Sequence, residues 1–389
     1  MDVIIIGGGA SGMVAGIIAA RKGDKVAILE KNKVLGKKLL LTGNGRCNYY
    51  NKDMSLNHFH SNGDVNRFIN DTNLNKLNDF FNSIGIIPKI KDNYYYPSSN
   101  TATSFQNNLV KELQVLNVKI INEEVIDIKK DNKFNVQTNL NNYKCDKVIL
   151  ATGGITYPKT GSNGFGYELL SKLGHHIIKP EEALVPLKTS DNVKDWTGIR
   201  TNVNVSYYLD DNYIAEEAGE AQLTDYGISG ICIMNLSRYY DQNKDNKIII
   251  DFLPTINNLY DFINDRNKLL KERTVIELLE MLINYKLLYF IFKKIHLDVN
   301  IRWYDMNDNE KKRLINNLKQ YELKIIGTKG LEFGETTKGG LDLNEVTDNV
   351  ESKIIPNLFI TGELLDIDGI CGGYNLTNAF ITGILAGEA

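Results

Sequence analysis

Apolar positions along the chain fall into short unbroken runs near the N-terminus and change to alternating patterns further on. Val3–Ile6 is a continuous apolar stretch, suited to a central strand of a parallel sheet covered on both faces. Residues 13–20 are all small or apolar, which predicts a helix packed closely on that sheet. A second buried strand is predicted over 25–29 and a third over 147–151. Mixed patterns with helical spacing predict surface helices over 65–84 and 102–116. Strands are predicted over 119–128 and 133–138, as a β-meander. The Tyr94-Tyr95-Tyr96-Pro97-Ser98 run reads as either a pocket lining or an aromatic edge strand. A helix is predicted around 167–173.

From about residue 184 the texture changes. Alternation over 201–209 and 247–252 predicts an antiparallel sheet or small barrel. Residues 257–319 are lysine-rich with helical periodicity, clearest over 308–321, and predict a compact helical insertion. Sheet-like segments resume at 323–326. The last section returns to the first pattern, with an apolar strand over 358–361 and a helix over 376–386.

The link between the first strand and helix carries the strongest chemical signal. Gly7-x-Gly9-x-x-Gly12 follows the strand at once, allowing a tight turn, a close backbone approach to a pyrophosphate, and close helix packing. The helix N-terminus offers unpaired N–H groups and the positive end of a dipole. Glu30 ends the second strand 18 positions beyond Gly12 (30 minus 12), where a carboxylate accepts hydrogen bonds from an adenosine ribose. The order strand, glycine turn, helix, strand and acid points to a dinucleotide site.

Further strand ends and loops extend that site. In Thr42-Gly43-Asn44-Gly45-Arg46-Cys47-Asn48, two glycines, an amide, a guanidinium and a thiol suit backbone wrapped against a polar ligand. Small residues Ala151, Thr152, Gly153 and Gly154 close the third strand, where doubly wound sheets bind ligands. Gly362 and Glu363 end the last strand, and the carboxylate can hold a ribityl or ribose hydroxyl. The turn Gly372-Gly373-Tyr374-Asn375 leads into a helix whose N-terminus can stabilise negative charge on a reduced flavin ring. Tyr157 reads as a proton donor, a substrate-orienting group or a structural tyrosine.

Composition narrows the classes. A formal charge of −3 over 389 residues gives no global field toward nucleic acid or an acidic membrane. No apolar stretch approaches the roughly 18 residues of a membrane span, and Met1-Asp2 lacks a basic leader. Cys47, Cys145, Cys232 and Cys371 form no CxxC and read as reduced thiols of a cytoplasmic protein. Cys47 has no resolving partner nearby, which disfavours disulfide reduction and leaves a small packed residue as the plainer reading. His58-x-His60 and His175-His176 lack further ligands, so no metal is expected. No Ser-His-Asp set can be assigned. Gly161-x-x-Gly164-x-Gly166 is not a second GxGxxG, so a nicotinamide donor would dock without its own Rossmann domain.

The motifs GGGASG, TGNGRCN, ATGG-x-x-YPKTGSNGFG, LTDYGISG and TGELLDIDGICGGYNLTNAFITG resemble the bacterial BaiN and aminoacetone-oxidase-like flavoproteins. These are two-dinucleotide-binding-domain flavoproteins related to fumarate reductase flavoprotein subunits, and the resemblance spans essentially the whole chain. It implies an α/β fold, a Rossmann-like FAD-binding domain interrupted by an inserted β-barrel and a helical subdomain. The expected partition is 1–185 and 337–389 for FAD, 186–255 and 321–336 for the barrel, and 256–320 for the helices. The resemblance places FAD on Gly7, Gly9, Ala10, Ser11, Gly12, Glu30, Lys31, Lys38, Thr42, Gly43, Arg46, Cys47 and Asn48. It adds Val125 near the adenine, then Ala151, Thr152, Gly153, Gly362, Glu363, Gly373, Tyr374, Asn375 and Leu376. Asn93-Tyr94, Ile231 and Cys371 depart from the family pattern, so the substrate is not carried over.

The implied chemistry is hydride transfer at flavin N5. It serves either NAD(P)H-linked reduction of a conjugated, enone-type small molecule or oxidation of a small amine by oxygen. Tyr157, Arg46, Cys47 and Lys338 are the candidates for polar work near the ring. A non-catalytic flavin-binding redox sensor is the alternative of another class. A tRNA-modifying flavoenzyme would show a basic aromatic surface, against which the net charge and scattered lysines speak. Oligomeric state is open.

Overall fold

The structure, a computed structural model, describes residues 1–389 and divides into two compact units, Met1–Ala183 with Leu331–Ala389, and Leu184–Gly330. In the first unit, strands β1 (Val3–Ile6), β2 (Val26–Leu29), β3 (Lys119–Ile121), β4 (Lys147–Leu150) and β5 (Leu358–Ile360) form one parallel sheet in the order β5-β4-β1-β2-β3. Val3 faces both Val26 and Lys147 in register. The central strand is buried throughout, as an uninterrupted apolar run requires.

Helix α1 (Ala10–Arg21) follows β1, and the C-terminal helix α2 (Tyr374–Glu388) packs on it. Contact between the two is close because both present glycines and small residues. A side chain at Gly383 would place its Cβ 2.6 Å from the Ser11 carbonyl oxygen, and one at Gly387 would lie 2.8 Å from the Ala15 carbonyl oxygen.

Several expected elements change in detail. The run 119–128 is not one strand: Lys119–Ile121 joins the parallel sheet, whereas Val125–Lys130 opens an antiparallel sheet with Phe134–Thr138 and Asn142–Cys145. Asn122 ends the first piece by donating its amide to the Asn32 carbonyl, 2.7 Å away. The run 65–84 is a short 3-10 turn, Val65–Arg67, followed by a helix, Asp71–Ser83, because Asn70 caps the latter by accepting from Asn73 N–H. Tyr94–Pro97 is the inner strand of a hairpin with Pro88–Lys91, and it also pairs with Tyr50 and Asn51.

The second unit holds a closed antiparallel barrel of Leu187–Thr189, Gly227–Ser229, Asn212–Thr224, Arg200–Leu209, Asn246–Asp251 and Tyr321–Thr328. Between its last two strands in sequence lie helices Leu259–Leu269, Val275–Leu279, Tyr285–Lys294 and Asp308–Lys319. Capping boxes, Thr274 with Glu277 and Asn307 with Glu310, set two of the helix starts. The helix expected over 308–321 stops at Lys319 because Tyr321 begins the returning barrel strand, its ring packed against Phe252 and Trp196.

Gly383→Val is expected to lower stability by about 1–3 kcal/mol, because the added volume must separate α1 from α2. A urea midpoint unchanged from the natural chain would contradict this close packing.

Candidate active site

The turn after β1 is fixed by backbone proximity. Gly7 has φ +102° and lies where a Cβ would be 2.4 Å from the Ala151 carbonyl oxygen; at Gly12 a Cβ would be 2.0 Å from the Gly7 carbonyl oxygen. Gly9 differs, since its nearest neighbour would be 3.9 Å away and a side chain there would fill open space. Helix α1 begins at this point with no side-chain cap and no acidic residue in its first turn, so its leading N–H groups point outward unpaired.

They point into an open cleft that Ile6, Leu29 and Ala151 also line, so it lies beyond the carboxyl ends of the parallel strands, where doubly wound sheets bind ligands. One end is lined by Glu30, Lys31, Asn32 and Glu123 to Val125, the other by Lys38, Thr42, Glu335, Thr336, Asn375 and Leu376. Glu30 is held rigidly: one carboxylate oxygen accepts from Gly8 N–H at 2.7 Å, the other from the Asn32 backbone and side-chain amides at 2.8 Å each. The oxygen that accepts from Gly8 keeps a further lone pair for a ligand, while the one facing Asn32 is fully used.

At the other end Lys38 ion-pairs with Glu363 at 2.9 Å and contacts Thr156 Oγ1 at 2.8 Å. Glu363 also accepts from Thr337 N–H at 2.9 Å. Asn375 is pinned by two hydrogen bonds to the Gly369 backbone, and Thr336 donates to its side-chain oxygen at 3.2 Å. Helix α2 starts beside it on Gly373, again without a side-chain cap and with φ +95°.

Of the residues expected on FAD, Gly7, Gly9, Ala10, Ser11, Glu30, Lys31, Lys38, Thr42, Val125, Ala151, Thr152, Gly153, Glu363, Asn375 and Leu376 line this cleft. Gly12, Gly43, Arg46, Cys47, Asn48, Gly362, Gly373 and Tyr374 are not part of its lining. Gly12 and Gly362 make helix contacts instead; a Cβ on Gly362 would lie 2.9 Å from Ser11 Oγ. Residues 43–47 form a left-handed turn, with positive φ at Gly43, Asn44, Gly45 and Cys47. The Asn48 side-chain nitrogen donates to the carbonyls of Tyr50 and Tyr95 at 3.2 Å, which ties that turn to the neighbouring hairpin.

Nor do Tyr157 and Lys338 belong to the cleft lining. Lys338 ion-pairs with Glu181 on the paired strand, 3.2 Å away. The Arg46 guanidinium lies 5.3 Å over the Tyr96 ring, and its Nε donates to the Gly43 carbonyl. Tyr157 sits in a left-handed backbone conformation, φ 52°, with its N–H on the Leu331 carbonyl. Burial raises its hydroxyl pKa, and the nearby negative charge of Glu335 adds to the effect. Cys47 is fully buried, and burial pushes its thiol up to about 12 against a smaller opposing hydrogen bond with Thr42.

Asn378 and Glu335 are among the lining residues that escaped the sequence reading. Asn378 shares a helix face with Asn375, and its side-chain oxygen is buried without a partner, as is Thr152 Oγ1. The i, i+3 spacing on a helix aimed at the site was the available signal for Asn378. Glu335 lies in no motif, and nothing in its neighbourhood singled it out.

These observations fit an FAD: an uncapped helix N-terminus over an open glycine, and an acid with remaining acceptor capacity at one end of the same cleft. The site and sheet define an FAD-dependent oxidoreductase, and no helix is long and apolar enough to cross a membrane. The chain belongs to the family described as HI0933-like protein Rossmann domain, which matches residues 1–389. It is 36% identical to the 3-dehydro-bile acid delta(4,6)-reductase of Clostridium scindens, over 99% of this chain and 98% of the relative. It is 26% identical to the ribosomal RNA dihydrouridine synthase of Escherichia coli and 27% identical to that of Haemophilus influenzae, each over 96% of this chain and 94% of the relative. Among solved structures, the open conformation of a flavocytochrome c3 fumarate reductase shares the fold, with TM-score 0.50 and 15% identity over 100% of this chain and 77% of that one.

At pH 7.5 the buried Cys47 thiol should carry thiolate in only about one molecule in 10⁴ or fewer, given its raised pKa. Mass mapping after brief alkylation of the native protein should therefore find Cys47 unmodified and find it labelled once the chain is unfolded. Native-state labelling at Cys47 would refute its packed placement.

Proposed function

We propose that this chain is an FAD-dependent reductase of carbon–carbon double bonds conjugated to a carbonyl, with a nicotinamide nucleotide as the electron donor. The observation that carries this is the cleft beyond the α1 N-terminus together with the chemistry named in its relatives. A 3-dehydro Δ4,6 steroid and the uracil ring of uridine both present a double bond activated by a carbonyl, although one is a small molecule and the other part of RNA. The higher identity and fuller coverage of the bile-acid reductase favour a small enone as the substrate class.

Roles follow from position. The backbone N–H groups of Gly9, Ala10 and Ser11 would hold the pyrophosphate, where α1 has neither cap nor acid. Glu30 would accept the adenosine ribose hydroxyls, and Val125 would pack on the adenine. Thr152 and Asn378 would line the wall beside the groups that connect the two ends of the cofactor. Asn375 and Leu376, at the start of α2, would face the polar edge of the flavin ring. Lys38 keeps Glu363 neutralised, which spares the site an unpaired buried carboxylate. When bound, the flavin supplies the two-electron transfer that none of these side chains can perform.

Anaerobic mixing of the loaded protein with NADH or NADPH should bleach the flavin band near about 450 nm. A 3-keto-4-ene steroid or a uridine-containing RNA should then restore the colour. Bleaching by small amines alone would replace this function with amine oxidation, and failure to bind FAD on reconstitution would refute it outright. Glu30→Ala should weaken FAD binding by about 10- to 100-fold, since hydrogen bonds to a charged group contribute about 1.5–3 kcal/mol. Equal flavin retention by that variant after dialysis would remove Glu30 from the ribose site.

A further inference from the structure

Reduction of a conjugated double bond needs a proton as well as a hydride, and the groups expected to supply it lie off the cleft or are paired. Cys47 is buried with a raised pKa, Lys338 is tied to Glu181, Arg46 lies over Tyr96, and Tyr157 stands outside the lining with a hydroxyl pKa raised by burial; Lys38, which does line the cleft, is held by Glu363 and Thr156. Glu335 is different. It lines the cleft, is open to it, and has no hydrogen bond or ion pair to any protein group. Its neighbour Thr336 is fixed to Asn375, which places Glu335 at the α2 end of the cleft, away from Glu30.

We propose that Glu335 is the catalytic acid, donating its proton to the α carbon of the conjugated double bond while the β carbon receives hydride from the reduced cofactor. This role presupposes the reductase activity proposed above. The carbon–carbon π bond, the Glu335 O–H bond and the hydride donor's bond to hydrogen would break, two C–H bonds would form, and the substrate is reduced by two electrons as the reduced cofactor is oxidised. The electron pair arrives with the hydride, the nicotinamide donor having first reduced the flavin. Glu335 is left as a carboxylate and regains its proton from water in the cleft.

The surroundings suit that exchange. The Glu335 side chain is exposed to the open cleft, yet the protein walls packed around it partly desolvate the carboxyl and hold it above the usual carboxylate range, the Lys38 ammonium opposing this by a smaller amount. The titratable groups acting on it are Lys38, whose partner is Glu363, and the Tyr157 hydroxyl; Glu181, Glu182 and Lys338 belong to the strand pair that begins one position further on. Lys38 is the single cation acting on it directly, and its charge is already matched by Glu363. A raised carboxyl keeps its proton to higher pH, so turnover should fall as pH rises through its pKa.

Two readouts on the FAD-loaded protein test this. The first is flavin absorbance of the resting protein titrated from acid to alkaline pH, which needs no substrate. The natural chain should show a spectral step above the ordinary carboxylate range, and Glu335→Gln should lose it while keeping its flavin. The second is turnover with a 3-keto-4-ene steroid and with a uridine-containing RNA. Glu335→Gln should lower kcat by about 10²-fold or more, with KM changed less, and Glu335→Asp should recover at least tenfold over it. A Gln variant that keeps the spectral step, or turns over within threefold of the natural chain, overturns the assignment. If the Gln variant fails to fold, Glu335→Asp with an unaltered rate and pH limb overturns it equally. A step that is lost on substitution in a protein that reduces neither probe overturns the reductase function instead, leaving Glu335 as an ionisable neighbour of the flavin.

Discussion

The contact between the Gly12 α carbon and the Gly7 carbonyl is the constraint on which the first unit depends. With a Cβ distance of 2.0 Å, no side chain fits there, so α1 rises directly from the end of β1 with its N-terminus over the cleft. Its direction then fixes α2. Ser11 and Ala15 present backbone to Gly383 and Gly387, which brings the terminal helix of the chain against the first. Because α2 starts at Gly373, that packing also decides where Asn375, Leu376 and Asn378 enter the cleft. Both ends of a bound dinucleotide are thus referred to one turn of backbone.

Electrostatics in the cleft follow from the same geometry. A pyrophosphate brings negative charge, yet the nearby lysines are committed elsewhere: Lys31 faces Glu124 at 3.7 Å and Lys37 donates to the Lys159 carbonyl at 2.7 Å. Stabilisation must come largely from oriented N–H groups and helix dipoles, which need no counter-charge and do not reorganise. The one strong cation, Lys38, serves Glu363. That division leaves Glu335 as the wall carboxyl without a hydrogen bond or ion pair, and in the role proposed for it the proton would move without breaking a salt bridge.

Legibility tracked the range of the interactions involved. The strand, glycine turn, helix and acid of residues 3–30 are local, each residue type answering to its own backbone geometry, and they were readable in full. The 119–128 run shows the limit. Its strand character was real, but Ile121 and Val125 belong to two sheets, and Asn122 between them reaches Asn32, a contact from 90 positions away. The segment 42–48 was read as backbone wrapping a ligand because of its glycines. Those glycines instead accommodate successive left-handed residues, and Arg46 and Asn48 are spent on Tyr96, Tyr50 and Tyr95. Lys338 was chosen for its charge, which the strand pairing assigns to Glu181.

Glu335 was illegible for a further reason, which also says why the fold tolerates so long an interruption. Ile177–Ala183 and Thr336–Leu341 pair antiparallel, with Ala183 opposite Thr336, so the chain leaves and re-enters the first unit at adjacent positions. Loop-closure entropy grows only slowly with the length inserted, and a junction of two paired strands absorbs 147 residues (184 through 330) without moving the sheet. Glu335 sits one position before that pair. Its place in the cleft is set by where the chain returns rather than by local sequence, and the strand pairing that closes the junction is what holds the carboxyl in position.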